Sequence, residues 1–370
     1  MEFANKAVIV KKYGGYDVLS VDKFPLPVLE KYVEVKVNFC GMNFADLYTR
    51  QGLITNKKTP FVLGMECAGV VSAVVGDDIG IQVNQRVICY DYNGGMYQDV
   101  VRVSPEHCFL LPDHVTLEQG AAIFVNYLTA YFSIFELGNL KANEKILIQS
   151  CAGGVGWAAT QLAKTVEGVE IIGTTSQEKF DAVKENGVKD VFVYENLEKD
   201  LKEACPDGVD LIIDNQAGKT FLTLQEHLRP LGRIILIGAN HLIKNEQKLS
   251  TLSMLKAWWN MKSVSPEILV RNNRVIAGLH LGTLIEKDRK RVTEALHAIF
   301  SLLKEGKIQP KIDSVWKIDQ IVDATKVLAQ RQNVGKVLLT LEEDKKAEEE
   351  AEEPKKEEKE EEKAEEKKEE

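Results

Sequence analysis

The chain has 370 residues, 44% of them apolar, enough for two domains with separate cores. Its formal charge of −9 is carried entirely by residues 342–370, where seventeen acids face eight lysines, leaving 39 of each sign in residues 1–341. A neutral body has no electrostatic footprint for nucleic acid. Six cysteines without a C-x-x-C pair, and neither a signal peptide nor an apolar run of spanning length, point to a reducing, cytoplasmic setting in which cysteine is a small buried residue.

The first hundred or so residues read as a mostly antiparallel domain. Val33, Val35 and Val37 alternate with polar residues, and Pro25, Pro27, Gly41, Gly52, Pro60, Gly64, Gly69 and Gly76 punctuate the short segments. After a strand, Gly41 to Gly52 offers Asn43, Asp46, Tyr48 and Arg50 on a short helix. The spacing places Asn43 and Asp46 on one face and lets Arg50 pair with Asp46. Spacing alone describes a capped, salt-bridged helix start.

The middle of the chain alternates apolar strands with helices. Ile146-Leu147-Ile148 leads into Cys151-Ala152-Gly153-Gly154-Val155-Gly156 and a helix over Trp157 to Val166. This is the strand, glycine turn and helix start that sets backbone N–H groups and a helix dipole against a dinucleotide pyrophosphate. Gly153 admits close approach to the phosphates and Gly156 close packing of helix on strand, with Cys151 in place of the usual first glycine. Next come strand Val169 to Gly173, a helix from Gln177 stopped by Gly187, strands Asp190 to Tyr194 and Val209 to Asp214, a helix over Thr220 to Leu228, and strands Arg233 to Gly238 and Val275 to Leu281. Strands apolar throughout and separated by helices imply a doubly wound parallel sheet covered on both faces, an α/β Rossmann domain.

Three features here carry two readings each. Cys151 near a helix start is a low-pKa thiol or, more simply, a small buried turn residue. His280 in an apolar strand reads as a hydrogen-bonded core residue rather than a ligand or base. In the connection Asn240 to Arg274, Met254, Leu255, Trp258, Trp259 and Met261 form an apolar helix face over a cleft or a membrane-touching patch, ordinary packing being the plainer account.

A helix over Val292 to Leu303, the segment Val315-Trp316-Lys317, a further helix and strand Lys336 to Leu341 are too few for a core of their own, so they are expected to return to the first domain. The organisation is then 1–121 with 286–341 as a catalytic domain, 122–285 as the dinucleotide domain and 342–370 as a disordered Glu/Lys-rich tail. The tail has no apolar residue larger than alanine and cannot offset its ordering entropy.

Taken with Pro60, Gly64-Met65-Glu66, Gly69-Val70-Val71 and Val74-Val75-Gly76, the segment Gly41 to Gly52 resembles the quinone oxidoreductase branch of the medium-chain dehydrogenase/reductase family, over about Lys6 to Leu341. Trp258-Trp259, Ala277 to Gly282, Ile312 to Trp316 and Asn333 to Val337 are most similar to its synaptic vesicle membrane protein group. The resemblance implies a GroES-like first domain. It puts Asn43 and Asp46 beside a nicotinamide ribose, Tyr48 near substrate as a proton donor or orienting hydroxyl, and Thr129 against the nicotinamide. A buried structural tyrosine, with solvent as proton source, remains the alternative for Tyr48. Where family members have a second tyrosine this chain has Ile54.

Zinc-dependent relatives have a cysteine where this chain has Asn43 and a histidine where it has Met65. Neither an amide nor a thioether completes a tetrahedral zinc site, so no metal is expected. Without a Lewis acid, a quinone or α,β-unsaturated carbonyl is a better acceptor than an alcohol is a donor. The second strand ends Gly173-Thr174-Thr175-Ser176-Gln177-Glu178-Lys179, without the acid that takes the ribose hydroxyl of NAD. Ser176, Lys179, Tyr194 and Arg331 match positions that hold the adenosine phosphate in relatives, which favours NADPH. Gly238 completes the expected cofactor contacts. Lys179 also has a plainer reading as a solvated helix residue. A homodimer through the edge strand Val275 to Leu281 and peripheral contact with vesicle or organelle membranes follow as further expectations of the resemblance.

Overall fold

The computed structural model describes residues 5–54, 57–242 and 266–342. Alternating valines make β3 (Tyr32–Gly41), with Val33, Val35 and Val37 all turned inward. Around it, β1 (Lys6–Val10), β2 (Leu19–Lys23) and β4 (Phe61–Val62) form a small antiparallel sheet. A seven-stranded sheet contains β3, β5 (Glu66–Val75), β6 (Arg86–Tyr90), β7 (Val100–Val103) and β8 (Cys108–Leu110). Two C-terminal strands, β15 (Ile312–Lys317) and β16 (Lys336–Thr340), extend that sheet in the order β15-β16-β3-β5-β6-β8 with β7 paired to β3. The last elements of the chain therefore do return to the first sheet.

The second sheet is built from β9 (Lys145–Ile148), β10 (Glu170–Thr174), β11 (Asp190–Phe192), β12 (Val209–Asp214), β13 (Leu228–Leu236) and β14 (Val275–Gly278). It is parallel throughout, in the order β11-β10-β9-β12-β13-β14. The order reverses between β9 and β12, and a cleft opens beyond the carboxyl ends of strands at such a switch point. Several boundaries depart from the sequence reading, with β11 stopping at Phe192 and β13 at Leu236. β13 begins at Leu228, which the periodicity assigned to a helix. β14 ends at Gly278, because His280 caps a new helix, its ring nitrogen accepting from the Thr283 N–H at 3.1 Å. His280 is exposed, not a core residue.

Between the sheets runs a helix that the sequence reading did not single out. It spans Leu117–Tyr131 and continues as a π turn over Phe132–Leu137. Thr116 caps it reciprocally with Gln119, at 3.1 and 3.0 Å. By length and composition Leu117–Leu137 is apolar enough to cross a membrane, contrary to the expectation of no spanning run, yet 72% of its apolar window is buried inside the protein. It serves as a core helix: one apolar cluster runs from Met65 and Ile88 through Phe124 and Leu128 to Ile146 and Ile148. The two cores expected from length are thus joined across it. All six cysteines are buried and free. Burial pushes the Cys151 thiol up to about 12, which fits the turn-residue reading.

Candidate functional site

A cavity of about 450 Å³ lies where the carboxyl ends of β9, β10, β12 and β13 face the loop after β3 and the core helix. One end is built by the glycine turn. Gly153 precedes the helix Gly154–Ala163 and closes the turn by donating to Ser150 O at 2.9 Å. A Cβ on Gly154 would stand 2.2 Å from the Asn126 amide, and one on Gly156 2.3 Å from Ser150 O, so both glycines are fixed by packing. A Cβ on Gly153 would meet nothing closer than Ser150 O at 3.4 Å. Its bare face opens on the cavity, as do Gly154, Val155 and Gly156, and the free N–H groups of the helix start there suit a phosphate.

Past β10, Ser176 and Lys179 line the same end, with Tyr194 and Arg331 opposite. Tyr194 donates to Ser150 Oγ at 2.9 Å. Lys179 is no solvated helix residue: it is 7% exposed, and its ammonium donates to Arg331 O and, at 2.9 Å, to Asn333 O. Burial lowers its pKa. Ser176 Oγ bonds the Glu178 carboxylate. Arg331, in the left-handed region at φ 56°, donates to Asn240 O at 3.1 Å.

The floor is a buried ionic cluster. Asn43, at the start of the helix Phe44–Gln51, donates from Nδ2 to Glu66 Oε1 at 2.8 Å, and Lys336 Nζ donates to Asn43 Oδ1 at 2.8 Å and to Glu66. Glu66 Oε2 accepts from the Val125 N–H of the core helix at 3.0 Å. Glu66 and Lys336 are 0% and 3% exposed; a charge so buried requires its partner. Three distant stretches thus meet on one carboxylate. Glu66 and Lys336 had no role in the sequence reading, although a charged residue at the edge of an apolar strand was a signal in both cases.

Asp46 lies behind this floor and is absent from the cavity wall. Its Oδ2 accepts from the Asn43 N–H at 2.8 Å and from Tyr97 OH at 2.6 Å. Burial raises its pKa to about 7, against the opposing pull of these two donors. The anticipated pairing with Arg50 does not form, because Arg50 turns to Gly14 O at 2.9 Å and lies over the Tyr16 ring. Met65 is in the core, so Asn43 and Met65 offer zinc neither thiolate nor imidazole, and among the described residues no group of three His, Cys, Asp or Glu is placed to hold a metal.

At the far end Tyr48 donates to Asn240 Oδ1 at 2.7 Å across the cavity, and burial raises its pKa. Thr129 and Gly238 line the wall near them, Phe44 packs edge-on against the Tyr48 ring, and Ile54 is not part of the lining. Of the expected site residues, Asn43, Tyr48, Thr129, Gly153, Gly154, Val155, Gly156, Ser176, Lys179, Tyr194, Gly238 and Arg331 all come together here. Asn126, Asn215 and Asn240 join them without having been foreseen. The Trp258-Trp259 connection and the tail from 343 onward lie outside the described residues.

Residues 30–113 match the alcohol dehydrogenase GroES-like domain and residues 186–339 the family described as zinc-binding dehydrogenase. The synaptic vesicle membrane protein VAT-1 homolog of Danio rerio is 36% identical over 351 residues, 94% of this chain and 72% of the relative. Among solved structures, the human synaptic vesicle membrane protein VAT-1 homolog-like protein superposes with a TM-score of 0.78 at 29% identity, over 92% of this chain and 99% of the other. Escherichia coli quinone oxidoreductase complexed with NADPH gives 0.78 at 26% identity, over 90% and 99%.

Proposed function

Since the chain belongs to the medium-chain dehydrogenase/reductase family, among its quinone oxidoreductase-like members, we propose that it is an NADPH-dependent, zinc-independent oxidoreductase acting on a quinone or an α,β-unsaturated carbonyl. The observation that carries this reading is the pairing of Ser176 and Lys179 after β10, with Glu178 engaged by the Ser176 hydroxyl and an open glycine turn in the same cavity. Lysine there favours an adenosine phosphate over a bare ribose. The Gly153 to Gly156 backbone would cradle the pyrophosphate, Ser176, Lys179, Tyr194 and Arg331 the adenosine phosphate, and Asn43 and Thr129 the nicotinamide end. When bound, NADPH supplies the hydride. Residues 1–121 with 286–341 serve as the catalytic part and 122–285 as the dinucleotide part. Asp46 supports Asn43 from behind rather than touching the ligand.

The residues at the zinc positions do not fit a metal, so charge arising on the acceptor has to be met by hydrogen-bond donors and by delocalisation in the acceptor itself. A panel of small quinones and enones, with NADPH oxidation followed at steady state, tests the reading. Absence of turnover with every acceptor would leave the second reading, an NADPH-binding scaffold on vesicle or organelle membranes, whose membrane setting rests only on the name of the VAT-1 relatives, synaptic vesicle membrane protein. The assembly proposed is a homodimer through β14, the sheet's edge strand. Sedimentation as a monomer at micromolar concentration would reject it.

A further inference from the structure

The Tyr48 hydroxyl has one proton, and the protein already uses it. That proton goes to Asn240 Oδ1 at 2.7 Å. A phenol that donates to a carbonyl oxygen has no second proton to donate. The side-chain oxygen of Asn240 is thus the atom turned to Tyr48. With Oδ1 turned to the phenol, Nδ2 keeps two N–H groups that make no hydrogen bond among the described residues, and Asn240 forms part of the cavity wall. The residue is held at both main-chain ends, its N–H donating to Asn215 O at 2.9 Å and its carbonyl accepting from Arg331 at 3.1 Å.

We propose that Asn240 is the catalytic hydrogen-bond donor to the carbonyl oxygen of the acceptor, and that Tyr48 is a positioning residue that keeps the Asn240 amide in its donating orientation. The proposal rests on the oxidoreductase reading and names the group that meets the acceptor. When a hydride adds to the β-carbon of an enone, the π electrons move to form an enolate with its charge on oxygen. Asn240 Nδ2–H stabilises that charge, as amide donors do in oxyanion sites. An amide cannot surrender a proton at neutral pH, so the α-carbon takes one from water. The acceptor gains one hydride and one solvent proton, and the dinucleotide is left oxidised by two electrons.

The variants Asn240→Asp, Asn240→Leu and Tyr48→Phe in the full chain separate the roles. Asn240→Asp keeps an acceptor for Tyr48 but removes the donor, and is expected to lower kcat by about 10²–10³-fold, with Asn240→Leu similar. Tyr48→Phe should lose only about tenfold and keep the pH dependence of the unmodified protein. A larger loss for Tyr48→Phe than for Asn240→Asp, or a changed pH profile in Tyr48→Phe, would assign proton donation to the tyrosine and overturn the proposal. A second arm needs no turnover: 4-nitrophenolate, an oxyanion on an aromatic ring, is titrated by absorbance into the protein with NADP+. Binding at least about tenfold weaker in Asn240→Asp is expected. Equal binding, or none to the unmodified protein, refutes the proposal. If discrimination holds while no acceptor is reduced, the oxidoreductase reading fails and the catalytic role with it, and Asn240 is an oxyanion-binding donor only.

Discussion

The two ends of the cleft are made in different ways. At the adenosine end a few short runs of chain supply nearly everything, residues 150–156 and 174–179 above all. At the acceptor end and floor, each group comes from a separate stretch: Asn43, Glu66, Thr129, Asn240 and Lys336. A contiguous run declares its geometry through spacing, because strand, turn and helix start are fixed locally. A site assembled from distant stretches exists only through tertiary packing, and its polar members depend on one another for burial.

Breaking the floor should therefore have the largest effect. Lys336→Met leaves the fully buried Glu66 carboxylate without its cation, and urea unfolding at neutral pH should show a loss of about 3–5 kcal/mol. A loss below about 1 kcal/mol would mean that packing, not the charge pair, holds this end together.

At the adenosine end the expected effects are on binding. Lys179→Ala removes a charged donor, and fluorescence titration should show the preference for NADPH over NADH reduced by about 1.5–3 kcal/mol, roughly ten- to a hundredfold. If both cofactors weaken equally, the lysine acts only through the 331–333 turn that it holds. The glycines sharpen the contrast within one motif. Gly156→Ala drives a Cβ into the main chain of the turn and should cost about 1–3 kcal/mol of stability. Gly153→Ala should leave stability within about 0.5 kcal/mol while weakening dinucleotide binding. Comparable destabilisation by both would show that the open face of Gly153 is not built for a ligand.

Legibility in the sequence followed the same division. The glycine turn, the parallel strands and the stop at Gly187 could be read because each rests on a local period or a cap, and the return of the last elements to the first domain because they are too few for a core of their own. Lys179 was placed at the site correctly, but its burial against two carbonyls 152 and 154 residues away could not be read. His280 looked like a strand residue because apolar neighbours surround it; its capping bond to Thr283 decides otherwise. The long core helix was missed because its apolar residues run all round it, which removes the one-sided stripe that marks a surface helix. Asp46 had the right spacing for a helix cap, but Tyr97 took the place that Arg50 was expected to fill.

Asp46 gives an effect that only a pH series reveals. Its pKa is raised from 3.8 to about 7 in the folded state. The folded protein thus holds this proton more tightly, and Asp46 subtracts stability as pH rises from about 4 to about 7. Asp46→Asn should remove that term, making stability less dependent on pH over this window by up to about 1 kcal/mol per unit. Parallel stability profiles for the variant and the unmodified protein would show that Asp46 is ionised throughout.

The central claim is that a zinc-free site with an adenosine phosphate pocket reduces a conjugated acceptor. Steady-state oxidation of NADPH and of NADH by the chelator-treated full chain, against one panel of quinones and enones, tests it most directly. The account predicts turnover with NADPH, unchanged by chelation, and a kcat/KM at least about tenfold above that for NADH. Equal use of the two cofactors, loss of activity on chelation, or no turnover with any acceptor would contradict it.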